Sequence, residues 1–321
     1  MSKISTVSIF CLILIFLLVS CSSSFSNDEI LALTPDTSIS TEAEELSGTP
    51  DGSSGLATQE NGSNKMTEKS EALINYRDIP GVYLGTFHGT SSSSLSLFEK
   101  IGKSIAISAT YLNFPTGFNS GFLTANASVG RISLLTLEYQ PGEGPNMQGY
   151  EGKILEAIPD GVFDDHLIKW AEGVRKFGKP VFLRFGHEMN GDWYPWSGVK
   201  NGGGKLDGYG SPEIPDGPER YVSAFRYMHD LFSEQGAENV LWIWCPNAPF
   251  DVMERSLGPW NSVASYYPGD DYVDWLCFDG YNWGGSAFGQ QFNAQWQSFE
   301  DIFGSSYAEL QAINTDKPIL I

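Results

Sequence analysis

With 321 residues, 41% of them hydrophobic and 13% aromatic, the chain can bury one large core or two ordinary ones, which excludes a disordered protein. A formal net charge of -20 excludes a nucleic-acid partner, because no basic patch is present to displace counterions from phosphates. An uncharged or cationic ligand fits that charge.

Residues 1–21 read MSKISTVSIFCLILIFLLVSC: Lys3, then an apolar run from Val7 to Val19 that is short for a membrane span and has no basic stop-transfer flank. This is a secretory signal. Its end, Leu18-Val19-Ser20-Cys21, resembles a bacterial lipoprotein cleavage box, which implies lipidation of Cys21 and an extracytoplasmic, membrane-anchored lipoprotein at the cell surface or in the periplasm. A plain signal peptide with a chance cysteine is the alternative. From Ser22 to Asp78 the chain carries eleven Asp or Glu against three Lys or Arg and no sustained apolar period, the composition of a flexible spacer.

The domain expected over 79–321 begins where short apolar runs start to alternate with stretches of helical period. Buried strands are predicted at Gly81 to Gly85, Ser104 to Ala109, Arg131 to Glu138, Pro180 to Phe185, Asn239 to Cys245, Val273 to Asp279 and Lys317 to Ile321. Between them, Leu167, Trp170, Val174 and Phe177 repeat at helical spacing, with Gly178 as a stop signal. Tyr221, Phe225, Met228 and Phe232 do the same after Pro218, and Phe299, Ile302, Phe303, Tyr307 and Leu310 mark a third helix. Near-continuous apolar strands separated by helices mean a parallel sheet covered on both faces, either a closed barrel or a doubly wound sheet. No Gly-rich fingerprint follows the first strand to favour a dinucleotide fold.

A barrel places its chemistry at the carboxyl ends of the strands. Glu138 closes the third predicted strand, His187 and Glu188 the fourth, Asn247 follows the fifth, and Asp279, Tyr281 and Asn282 follow the sixth. Cys245 and Cys277 lie inside buried strands, where free cysteine serves as a small hydrophobe, so packing is favoured over a disulfide.

RFGHEMNGDWYPW, Arg184 to Trp196, contains a His-Glu pair, but a zinc peptidase needs a second His four residues after the first, and that position is Gly191. With His only at 88, 166, 187 and 229 and no cysteine pair at ligand spacing, no metal or other cofactor is expected. A carboxyl walled by Trp193, Tyr194 and Trp196 is a different device. Apolar neighbours disfavour its charged form and keep it protonated near neutral pH, as a general acid requires, and Trp faces stack on sugar rings. Acid and platforms together indicate glycoside hydrolysis. The plainer alternative is a barrel salt bridge between Glu188 and Arg184 with the aromatics as core filling.

GKPVFLRFGHEMNGDWYPWSG resembles the fourth-strand signature of the family 26 glycoside hydrolases, endo-acting β-mannanases above all. DDHLIKWAEGVRKFGKP, NVLWIWCPN and YYPGDDYVDWLCFDGYNWG extend the similarity over most of Tyr83 to Ile321. The resemblance implies a (β/α)8 TIM barrel that retains anomeric configuration through two glutamates. Glu188 would be the acid/base, while His187, Arg184, Trp193, Trp196, Tyr281, Trp244 and Trp283 would bind sugar or position the reacting groups. It also implies a monomer acting on a β-linked polysaccharide such as β-1,4-mannan, with mixed-linkage β-glucan and β-1,3-xylan as alternatives. The Gly-rich loop from Gly198 to Gly217 would wall the cleft.

The family's nucleophilic glutamate comes just beyond the strand after a Lys-Pro pair, and here that strand, DKPILI, ends at Ile321. The expectation is therefore a barrel ending at strand seven and a chain inactive by itself. A non-catalytic, carbohydrate-binding surface lipoprotein is the reading from a different class. A peptidase is weaker still.

Overall fold

The computed structural model describes residues 82–87, 102–103, 105–248 and 257–321; the signal segment with Cys21 and the spacer lie outside the described residues. Seven strands form one sheet: β1 (Gly85–Phe87), β2 (Ile107–Asn113), β3 (Ile132–Glu138), β4 (Val181–Phe185), β5 (Val240–Trp244), β6 (Trp275–Cys277) and β7 (Ile319–Leu320). Every neighbouring pair is parallel and the spatial order is the sequence order. A doubly wound sheet reverses its order at a switch point. The unbroken progression fits an incomplete (β/α)8 barrel instead.

The helices that cross between strands include α1 (Gly121–Ser128), α2 (Ile154–Ala157), α3 (Asp164–Phe177), α4 (Asp216–Glu234), α5 (Ala287–Gln291) and α6 (Phe299–Ile313). α3 has Asp164 and Asp165 in its first turn and Arg175 and Lys176 in its last, which complements the helix dipole, and Gly178 closes it in the left-handed region at φ 71°. A reciprocal Ser298–Asp301 capping box starts α6. α1, α2 and α5 carry little helical periodicity, and the sequence did not mark them.

Strand parity sorts the side chains into two apolar clusters. Phe182, Leu241, Ile243, Cys245, Trp275 and Cys277 pack together on the inner face. Val181, Leu183, Phe185, Val240, Trp242, Trp244 and Leu276 have the opposite parity and pack with Leu167, Trp170, Val174, Tyr221, Phe225 and Met228 of the helices. The register pairs Ile243 with Trp275 and Trp244 with Leu276, so Cys245 and Cys277 come next, side by side. They are disulfide-bonded, with Cα atoms 4.4 Å apart. This corrects the expectation of packing alone, because only register shows that the two cysteines are neighbours.

The Gly198–Gly217 loop is tied to the start of α4 by Arg220. Its Nε donates to Glu156 Oε1 at 2.9 Å, Nη1 to the Asn201 carbonyl at 3.1 Å and Nη2 to the Gly208 carbonyl at 2.7 Å. Nη1 also lies 3.4 Å from Asp216 Oδ2, which accepts from the Gly208 N–H at 3.0 Å. Arg220→Met would leave Asp216 buried without its cation and should lower unfolding free energy by about 3–5 kcal/mol in urea titration. Arg220→Met/Asp216→Leu should recover part of that loss.

Candidate active site

The site is built on residues whose parity turns them inward, Thr136 and Glu138 of β3, Arg184 of β4 and Asp279 just beyond β6, together with Tyr111 of β2. Arg184 is buried among them: Nε donates to Thr136 Oγ1 at 3.0 Å, Nη2 to the Tyr111 hydroxyl at 3.0 Å and Nη1 to Asp279 Oδ2 at 3.2 Å. Its partner is thus Asp279, and the simple Arg184–Glu188 salt bridge is not what forms. Arg184 was expected to bind sugar, but its fork is engaged laterally by protein and it is closed to a ligand.

After β4 the backbone turns sharply. Glu188 has φ 54°, a left-handed conformation that costs a non-glycine residue on the order of 1–2 kcal/mol. Two bonds offset that strain: the Glu188 N–H donates to the Cys245 carbonyl at 2.8 Å, and the Gly191 N–H donates to the Glu188 carbonyl at 3.0 Å. Gly191 leaves no room for a Cβ against the Trp193 ring. Trp193 folds back over it, and its Nε1 donates to Glu188 Oε2 at 2.7 Å.

Glu188 is 6% exposed. Burial first, and then the negative charge of Asp279, push its pKa up to about 7, against the pull of the Trp193 hydrogen bond and Arg184. Burial also lifts Glu138 to about 7, opposed by Arg184. Asp279 is raised by burial too, yet it alone of the three acids bonds directly to the guanidinium. The cation of the site therefore serves Asp279, and Glu188 is left to hold a proton. Neither remaining acid offers a free nucleophilic carboxylate near Glu188: Asp279 is occupied by Arg184, and Glu138 keeps its proton until near pH 7.

His187 is buried, with Nε2 3.0 Å from the Tyr194 hydroxyl and 3.8 Å from Glu138 Oε1. Burial and the nearby Arg184 hold its pKa well below the usual histidine range, so the ring is neutral. It has no open face for a sugar and instead supports Tyr194. Trp196 and Trp244 require correction. Trp244, at 0% exposure, has the outward parity and packs against the helices, while Trp196, at 1%, stacks on Tyr194 at 4.4 Å and donates to the His187 carbonyl at 2.7 Å. Neither presents a face to a ligand.

Trp193 and Trp283 are half-buried and Tyr281 is 49% exposed; the rings of Tyr281 and Trp283 lie 5.0 Å apart. Tyr281 lies two residues beyond Asp279, and burial first, then the negative charge of Asp279, raises the pKa of its hydroxyl. Tyr111 was missed, although the alternation Ile107, Ala109, Tyr111 points it inward once β2 is carried past Ala109. Among the described residues, no three His, Cys, Asp or Glu side chains converge as metal ligands.

The profile of Glycosyl hydrolase family 26 matches residues 146–304. Endoglucanase H of Acetivibrio thermocellus is 34% identical over 254 residues, covering 78% of this chain and 25% of that protein. The chain belongs to glycosyl hydrolase family 26. A mannan endo-1,4-beta-mannosidase of Bacillus subtilis is 32% identical over 137 residues, 41% of this chain and 30% of its own length. The family 26 chain thus spans about a quarter to a third of these relatives. A solved Bacillus subtilis mannanase superimposes with a TM-score of 0.53 at 19% identity, covering 78% of this chain and 74% of that one, a likeness of fold.

The native state holds the Glu188 proton to about pH 7, whereas an unfolded glutamate releases it near 4.3. The folded chain therefore binds more protons between those values, and stability falls as pH rises through that window. Glu188→Gln should be more stable than the parent at pH 8, on the order of 1–3 kcal/mol in urea titration, and equal to it at pH 4. An equal difference at both pH values would show that folding leaves the Glu188 pKa unshifted.

Proposed function

We propose that this chain is the catalytic domain of a retaining endo-β-glycosidase acting on a neutral β-linked polysaccharide, with Glu188 as acid/base. The observation that carries the reading is the buried Glu188 carboxyl, kept protonated to about pH 7 and held by the Trp193 indole at the carboxyl end of β4. A proton at that position is what a glycosidic oxygen needs as it leaves. Trp193 and Tyr281 offer aromatic surface beside it. With a net charge of -20, a polyanionic glycan would be repelled.

The retaining mechanism needs a second glutamate, placed by the family resemblance just after β7. The assay therefore compares the 321-residue chain with a polypeptide that carries the residues following β7, on mannan, mixed-linkage β-glucan and β-1,3-xylan. Reducing ends should be released by the form that carries this glutamate, and Glu188→Gln should cut that rate on the order of a thousandfold. Hydrolysis indifferent to Glu188→Gln would refute the acid/base role, and polysaccharide binding without hydrolysis by either form would favour a binding lipoprotein.

Mannan is the substrate implied by the motif. The similarity to endoglucanase H extends over 78% of the chain, against 41% for the mannosidase, and this favours a β-glucan as the second reading. The apolar run ending at Leu18-Val19-Ser20-Cys21 supports export and anchoring through a lipidated Cys21. Metabolic labelling with a radioactive fatty acid should mark the protein, and Cys21→Ser should abolish the label.

A further inference from the structure

The loop after β6 carries more aromatic surface than the site uses. Trp296 is 72% exposed, whereas the other tryptophans of the described residues are buried or half-buried. Its backbone is not loosely placed. Asn282 Nδ2 donates to the Gln297 carbonyl at 2.6 Å, and Asn282 Oδ1 accepts from the Gln297 N–H at 3.3 Å and the Gly284 N–H at 3.1 Å. Gly284 lies flat against the Trp296 backbone, with no room for a Cβ. The two halves of the loop are thereby clamped, with Trp296 beside the residue that follows Trp283.

That clamp holds the Trp296 backbone against the segment that carries Tyr281 and Trp283. Tyr281 lies two residues beyond Asp279, its ring 5.0 Å from that of Trp283, and the Trp296 backbone packs against Gly284, the residue next to Trp283. Amides accompany them: the Asn282 side chain ties the loop through the Gln297 backbone, and the exposed Gln295 lies next to Trp296 in the chain. Ring faces with amides at their edges suit a pyranose, which offers C–H faces and equatorial hydroxyls. A rigid indole also loses little conformational freedom when a ligand covers it.

We propose that Trp296 is an outlying sugar-binding platform, reached by way of Tyr281 and Trp283, that holds a unit of the polysaccharide distant from the scissile bond. The inference rests on the glycosidase reading of the same cleft and adds that long chains are favoured over short ones. The occupant is an uncharged β-linked glycan, continuous with the strand of sugar bound at Glu188.

Calorimetric titration of the full chain with β-1,4-linked gluco- and manno-hexasaccharides and the matching trisaccharides tests this without requiring turnover. Trp296→Ala should weaken the bound hexasaccharide about tenfold and leave trisaccharide affinity unchanged, and Trp296→Tyr should restore most of the loss. Trp193→Ala, beside Glu188, should weaken both lengths. Hexasaccharide binding insensitive to Trp296→Ala but lowered by Trp193→Ala would overturn the platform and leave the glycosidase reading standing. A melting temperature lowered by several degrees in Trp296→Ala would also overturn it, assigning the ring to protein packing. No binding of either hexasaccharide by the parent chain would overturn both.

Discussion

The site depends on one buried cation. Arg184 occupies an inward position on β4 and spends its guanidinium on Tyr111, Thr136 and Asp279, three partners supplied by three other segments of the barrel. Removing a charge from water is tolerable only when its partners are this complete. Because the cation is committed to Asp279, the neighbouring carboxyls are left with the consequences of burial: Glu188 and Glu138 are both lifted to about 7. One positive charge among three acids thus sets Asp279, which it bonds directly, apart from Glu188 and Glu138, a difference made by environment.

Around that centre the fold supplies strain and support in equal measure. Glu188 sits in a left-handed backbone conformation, which would relax were its N–H not bonded to the Cys245 carbonyl of the adjacent strand segment. Beneath it, the disulfide between Cys245 and Cys277 ties the ends of β5 and β6, the same two segments that deliver this carbonyl and Asp279. Tyr194 stacks on Trp196, and the His187 ring lies tilted against both. His187 and Trp196 are buried, and Tyr194 half-buried, against the turn that carries Glu188 and Trp193, so much of the motif is packed as scaffold.

Much of this was legible along the chain. The runs at Arg131–Glu138, Pro180–Phe185 and Asn239–Cys245 became β3, β4 and β5 with their ends shifted by a residue or so, because continuous β-branched and aromatic runs of that length have few alternatives to a covered parallel strand. β2 ran on to Asn113 because its polar and aromatic residues face the site, and inward polar positions do not register as buried strand. Trp244 was misjudged for a reason the sequence does contain. It shares the parity of Trp242 and Val240, and period two places all three against the helices.

From the sequence alone came the element types, the carboxyl-end placement of His187 and Glu188, and the family resemblance, since each depends on local periodicity or on an unbroken motif. Tertiary structure alone decided which cation serves which acid, that Cys245 meets Cys277, and that Trp196 and Trp244 are core while Trp296 stands clear. Many of those facts join residues far apart in the chain, 15 positions between Asn282 and Gln297 and 95 between Arg184 and Asp279. Only strand register and loop packing bring such residues together, and neither is written in any local stretch.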